Sequence, residues 1–191
     1  MGTAKQPTRK FCVLNANIIC FSGKIGSGKS SVSFALAERL GCKRASFGSY
    51  VRYMVEKRGK DPTSRQSLQD YGQARVQLDI VQFCRDVLAH VSYMPPEQIV
   101  IDGVRHVDVL EVLIDLLSPA RVSLIHLELD DESRHFRISD RGDDRDDIER
   151  AEQHVVEADL LDNLPRRADL ILKASQPLDT VVQQCLDFVN P

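Results

Sequence analysis

Residues 23–30 read Gly-Lys-Ile-Gly-Ser-Gly-Lys-Ser, the pattern G-x-x-x-x-G-K-S. Before it, Ile18-Ile19-Cys20-Phe21 has the unbroken apolar character of a strand buried on both faces of a parallel sheet. After it, Ser31 to Leu40 reads as a helix with Gly41 as its stop signal. Strand, glycine loop and helix in that order commit the chain to an α/β layer structure built outward from this loop.

The residue types state the chemistry of the loop. Glycines at 23, 26 and 28 let the backbone curl until successive N–H groups point at one anion, and the helix that follows adds its positive end. A phosphate chain fits such a cradle. Lys29 can then reach the β- and γ-phosphates, and the Ser30 hydroxyl can ligate Mg²⁺. The expected nucleotide-binding set is Gly23, Lys24, Ile25, Gly26, Ser27, Gly28, Lys29, Ser30 and Ser31, with ATP and Mg²⁺ as cofactors. The bland alternative, a Gly/Ser connector, does not call for the strand and helix flanks.

The rest of the chain alternates in the same way. Strands are expected near 43–47, 98–103, 122–129 and 170–172, and helices at 50–57, 77–91, 107–117, 131–141, 148–161 and 178–188. Thr63-Ser64-Arg65-Gln66 has capping-box form and should start a further helix running to about Gln73. In the 77–91 helix Val81, Cys84, Val87 and Leu88 share one face. Residues 11–14 form a short extra strand or a packed lead-in, and 1–10 a loose polar arm. The fold class is α/β: a three-layer P-loop NTPase fold, a five-stranded parallel sheet with helices on both faces and a small lid. The 191 residues suit a single domain over 11–191, with acceptor-binding helices at about 49–91 and a lid at about 134–150.

Composition narrows the function classes. A net charge of −3 gives no electrostatic case for nucleic acid or a membrane surface. No apolar run approaches the roughly 20 residues of a transmembrane helix. Five cysteines are scattered without a C-x-x-C pair, and the five histidines lack metal-ligand spacing, so the chain reads as a reduced cytoplasmic protein.

Two further patterns bear on a site. Ile99-Val100-Ile101-Asp102 is an apolar strand ending in a carboxylate, which in a P-loop protein belongs near Mg²⁺, so Ser30 and Asp102 are the metal candidates. Arg105 follows the same strand end and Arg52 the second strand, on the side of the sheet where ligands bind, and a planar guanidinium suits phosphate, although each taken singly reads more simply as a solvated surface charge. The arginines at 134, 137, 141, 145 and 150 stand among many acids, and for most of them a solvated, salt-bridged face is the expectation. Phosphoryl transfer needs cations that close over the transferring group, so Arg137 and Arg141, beside a hinge at Gly142, are the catalytic candidates with Lys29.

These residues match a family pattern. Ser46-Phe47-Gly48-Ser49-Tyr50-Val51-Arg52 resembles the S-T-G-D-x-x-R segment of adenylate kinases and related nucleoside monophosphate kinases. Ile101-Asp102-Gly103-Val104-Arg105 is similar to their L-D-G-x-P-R, without the proline, and Arg141-Gly142-Asp143-Asp144 to the R-x-D-D of their lid. The chain looks most like the small kinases grouped with archaeal-type dephospho-CoA kinases, whose late A-D-x-x-I has its counterpart in Ala168-Asp169-Leu170-Ile171. The resemblance covers most of 17–189 and implies that Arg52 and Arg105 hold the acceptor's phosphate while Arg141 embraces the phosphates of both substrates. Ser49 stands where the family carries an acid; it is the third acceptor-binding candidate and the chief departure.

The expected activity is therefore a transferase reaction, passage of the γ-phosphoryl of ATP to a small phosphorylated acceptor, most simply a nucleoside or deoxynucleoside monophosphate. Dephospho-CoA is the alternative acceptor. A different class, a P-loop NTPase that switches a protein partner, should carry an acid pair at the end of the third strand if it is of the AAA type, and Asp102 is followed by Gly103. The expected partner is the small molecule alone, the chain being a monomer or homodimer.

Overall fold

The computed structural model describes residues 17–140 and 158–190. Its order is β1 (Asn17–Ser22), α1 (Lys29–Leu40), β2 (Lys43–Ser46), α2 (Phe47–Lys57), α3 (Arg65–His90), β3 (Ile99–Asp102), α4 (Val107–Leu117), β4 (Arg121–Glu128), α5 (Asp131–Asp140), α6 (Ala158–Leu161), α7 (Asn163–Arg167), β5 (Leu170–Lys173) and α8 (Leu178–Val189). The five strands form one parallel sheet in the order β2-β3-β1-β4-β5. Ile18 faces Ile99 and Val122, so the strand that enters the glycine loop is central and paired on both sides.

Each apolar strand serves two cores, because successive side chains point to opposite faces. Ile18, Cys20, Ile99, Ile101 and Leu124 meet the helices α2, α3 and α4 on one face. Ile19, Phe21, Val100, Ile125 and Leu127 meet α1 and α8 on the other. The three-layer expectation holds. Cys20, Cys84 and Cys185 are buried free thiols, and burial pushes the last two up to about 12. No described helix is long and apolar enough to cross a membrane.

Several local expectations shift. β2 ends at Ser46 rather than Phe47, because the Ser46 hydroxyl accepts the Ser49 N–H at 3.2 Å and starts α2 three residues early. Ser64, not Thr63, caps α3, accepting from the Ser67 N–H at 3.3 Å. The helices expected at 63–73 and 77–91 run together as α3, broken only at Asp79, whose backbone is extended (φ −164°, ψ 91°). Asp79 caps the second half through Gln82 N at 2.8 Å. The break turns the apolar face, so Phe83 is buried with Cys84, Val87 and Leu88 while Val81 is 38% exposed. The short α7 carries no helix signal beyond its packing residue Leu164, buried against the first core. The expected arm, the extra strand at 11–14, the hinge at Gly142 and most of the 148–161 helix lie outside the described residues.

Candidate active site

The glycine loop is a strained curl held from two directions. Gly23, Gly26 and Gly28 all have positive φ (145°, 82° and 88°). At Gly23 a Cβ would sit 2.7 Å from the Leu127 carbonyl oxygen, so the crowding comes from β4 and only hydrogen fits there. At Gly26 it would sit 2.9 Å from Arg134 Cγ, which belongs to α5. Ile25 packs on Ile138 of the same helix.

Lys29, at the start of α1, donates to the Lys24 carbonyl oxygen at 3.1 Å and so spans the loop's mouth. Ser30 follows on the exposed first turn, and its hydroxyl donates to Asp102 Oδ2 at 3.0 Å. The two metal candidates, 72 residues apart in sequence, are thus brought together at the ends of neighbouring elements. Asp102 is 3% exposed; its Oδ2 also takes Arg44 and, at 3.5 Å, the Ser46 hydroxyl, while Oδ1 is buried with no partner. An acceptor-only oxygen buried beside a hydroxyl fits a divalent cation or one of its waters. Among the described residues no cluster of three or more His, Cys, Asp or Glu gathers.

A cavity of about 150 Å³ opens next to the loop. Its walls are apolar, among them Ile25, Phe47, Val51, Leu68, Phe83 and Val109, and its polar side chains are Arg52, Arg65, Gln69, Arg105 and His106. Among the described residues no Asp or Glu lines it. Arg105 arrives there because Gly103 N and Val104 N both donate to Phe21 O, at 3.2 and 3.0 Å, turning the chain across the end of β1. Burial pulls the Arg105 guanidinium down to about 10, Asp102 pulls it up, and the like charge of Arg65 adds to the lowering. Arg52 and Arg105 line the same cavity. Arg65 was missed; the capping-box reading marked its position as a helix start and gave it no other role. Ser49 lies exposed on the first turn of α2 and is not part of the cavity wall.

Arg137 is tied to backbone carbonyls beside the loop: Nη1 donates to Ser27 O at 3.5 Å and Nη2 to Ala174 O at 2.7 Å. Arg141 lies outside the described residues. Arg134 corrects the reading of this segment as a solvated face. It is 2% exposed, ion-paired to Asp131 at 2.9 Å and hydrogen-bonded to Ile25 O. His126 is another residue that no motif marks. Its Nδ1 meets Ser22 Oγ at 2.8 Å directly behind the loop, and burial holds the imidazole below its ordinary value, Glu128 opposing and Lys29 assisting.

A phosphate cradle, a hydroxyl–carboxylate pair and an arginine-lined cavity on one edge of a 2-3-1-4-5 parallel sheet define the frame for comparison. The model of a P-loop, kinase-like family described as an AAA domain matches residues 19–159. The chain belongs to this family. It bears an AAA label although Asp102 is followed by Gly103, so the missing acid pair does not set the chain apart from everything of that name. A UPF0200 protein of Pyrobaculum aerophilum is 30% identical over 128 residues, 66% of this chain and 67% of that one. Among solved structures, a shikimate kinase from Acinetobacter baumannii in complex with shikimate superposes with a TM-score of 0.60 at 18% identity, covering 92% of this chain and 93% of that one. A gluconokinase from Sinorhizobium meliloti gives 0.59 at 17% identity over 91% and 90%. At such identities the likeness is one of fold: that of the P-loop kinases.

Proposed function

We propose that the chain is a phosphotransferase that moves the γ-phosphoryl group of ATP to a small phosphorylated acceptor, with a nucleoside or deoxynucleoside monophosphate as first choice. The observation that carries this reading is the convergence of Arg52, Arg65 and Arg105 on one cavity whose wall includes Ile25 of the phosphate loop. Three guanidiniums on one wall, with no carboxylate among the described lining residues, favour an anionic acceptor, and the apolar remainder suits a flat organic body. A slow NTPase switch does not call for such a cavity.

Within this reading each residue has a task. The amides of residues 23–30 cradle the phosphates, and Lys29 exchanges the Lys24 carbonyl for phosphate oxygen. Ser30 and Asp102 would hold Mg²⁺, which when bound neutralises charge on the β- and γ-phosphates. Arg137, already at Ser27 O, stabilises charge at the transferring group, and Arg141 is proposed to join it. Arg52, Arg65 and Arg105 hold the acceptor in line. Phosphoryl transfer depends mainly on such positioning, so Ser49 in place of an acid is no obstacle.

The test is ADP release from Mg-ATP with ribo- and deoxynucleoside monophosphates, dephospho-CoA, shikimate, gluconate and no acceptor, using Lys29→Ala as blank. Turnover that requires a phosphorylated acceptor supports the reading and names the substrate. Turnover with dephospho-CoA alone selects the alternative acceptor, turnover with shikimate or gluconate refutes a phosphorylated one, and equal slow turnover in every well favours the switch.

A further inference from the structure

Arg44 belongs to no motif, yet it touches the metal-ligand pair directly. β2 lies beside β3 with Arg44 opposite Val100 and Ser46 opposite Asp102, so Arg44 and Asp102 face the same side of the sheet as α1. Arg44 Nη2 pairs with Asp102 Oδ2 at 2.5 Å, and its Nε donates to Ser33 Oγ at 2.9 Å. Ser33 in turn donates to Ser30 O at 3.1 Å, and Ser30 donates to Asp102. Four residues therefore close a ring around one carboxylate. Its Oδ2 takes every donor, and its Oδ1 is left buried and unpartnered.

A carboxylate whose side chain is 4% exposed requires a counter-charge, and before any metal arrives Arg44 supplies the direct one at Oδ2, with Arg105 acting on the same carboxylate from farther off. The same guanidinium opposes a second cation at Oδ1, since the negative charge that would attract it is already matched. Resting on the nucleotide–Mg²⁺ reading above, we infer that Arg44 is a positioning residue of the cation site: it anchors Asp102 through Oδ2, presents Oδ1 to Mg²⁺, and holds Mg²⁺ affinity down. Removing the charge while keeping a donor should then tighten Mg²⁺ binding, whereas a merely structural arginine would weaken it or leave it alone.

Calorimetric titration of ADP, in EDTA and across a Mg²⁺ series, separates the two. For Arg44→Gln the Mg²⁺ concentration that gives half the gain in ADP affinity should fall by about tenfold, with ADP affinity in EDTA unchanged. Arg44→Lys should match the wild type. Equal or weaker Mg²⁺ dependence in Arg44→Gln would overturn the proposal alone, while failure of the wild type to bind ADP would overturn the nucleotide reading and this proposal together. If Arg44→Gln does not fold, the Arg44→Gln/Asp102→Asn pair decides. Recovery of the fold, with ADP binding indifferent to Mg²⁺, supports the charge pairing; a double variant that still fails while Asp102→Asn folds shows that Arg44 acts through Ser33, against the proposal.

Discussion

Arg134 and Ile25 are joined by a hydrogen bond from a guanidinium that is 2% exposed to the carbonyl at the tip of the phosphate loop, 3.3 Å away. The helix α5 is thus a brace for the loop. Truncating Arg134 removes a buried side chain and leaves a buried carbonyl unsatisfied. Arg134→Ala should lower stability by about 2–4 kcal/mol, read from the urea midpoint. Its ADP affinity should fall with it, and an unchanged midpoint would contradict the bracing role.

Gly26 faces the same brace. Its φ of +82° and the 2.9 Å approach of Arg134 Cγ leave no room for a methyl group. Gly26→Ala should destabilise the protein by about 1–3 kcal/mol and weaken ADP binding at least tenfold. Calorimetry and thermal melting on one sample check both, and an ADP affinity equal to the wild type would refute it.

Lys29 is half-buried and donates to a backbone oxygen of the loop. Lys29→Ala should abolish phosphoryl transfer with Tm shifted by no more than about 2–4 °C, an effect within about 1 kcal/mol. A large loss of Tm would show that the lysine is structural.

Arg105 is held at about 10, chiefly by burial and secondly, against this, by Asp102. Because this lies below the ordinary 12.5, the folded state releases the proton first. The charged guanidinium therefore opposes folding fully below pH of about 10, and the opposition fades as pH rises through that value. An anion in the cavity relieves it at neutral pH. Arg105→Met should leave the ligand-free Tm equal or higher and should lose most of the stabilisation that 50 mM-class phosphate, on the order of tens of millimolar, gives the wild type. In turnover the acceptor's KM should rise at least tenfold with ATP affinity unchanged. A matching loss of ATP binding would remove the assigned role.

Asp79 caps the second half of α3 from an extended backbone. Asp79→Ala should lower stability by about 1 kcal/mol while Asp79→Asn, which keeps an acceptor, stays within a few tenths. Equal effects of the two would mean that the break does not depend on the cap.

What could be read in the chain is what short-range chemistry decides. The glycine loop, its strand and helix, the apolar run ending in Asp102 and the alternation that follows are local patterns, because backbone conformation and burial period are set within a few residues. They yielded the sheet, the loop and the pair Ser30–Asp102. Where local signals competed, as between Thr63 and Ser64 for one cap or across Asp79, the side chain that met the free N–H won, and only coordinates show which did.

The remainder was decided by the tertiary structure. Arg44 and Asp102 are 58 residues apart and meet because β2 pairs with β3 in one register; a shift by one residue would turn Arg44 to the opposite face. Arg65 enters the cavity because α3 forms one of its walls, and Arg134 is buried because α5 lies on the loop tip. An arginine's sequence neighbours do not report its solvation. The sequence determined which groups could hold phosphate, and the packing of strand order against helix position decided which charges were taken out of water.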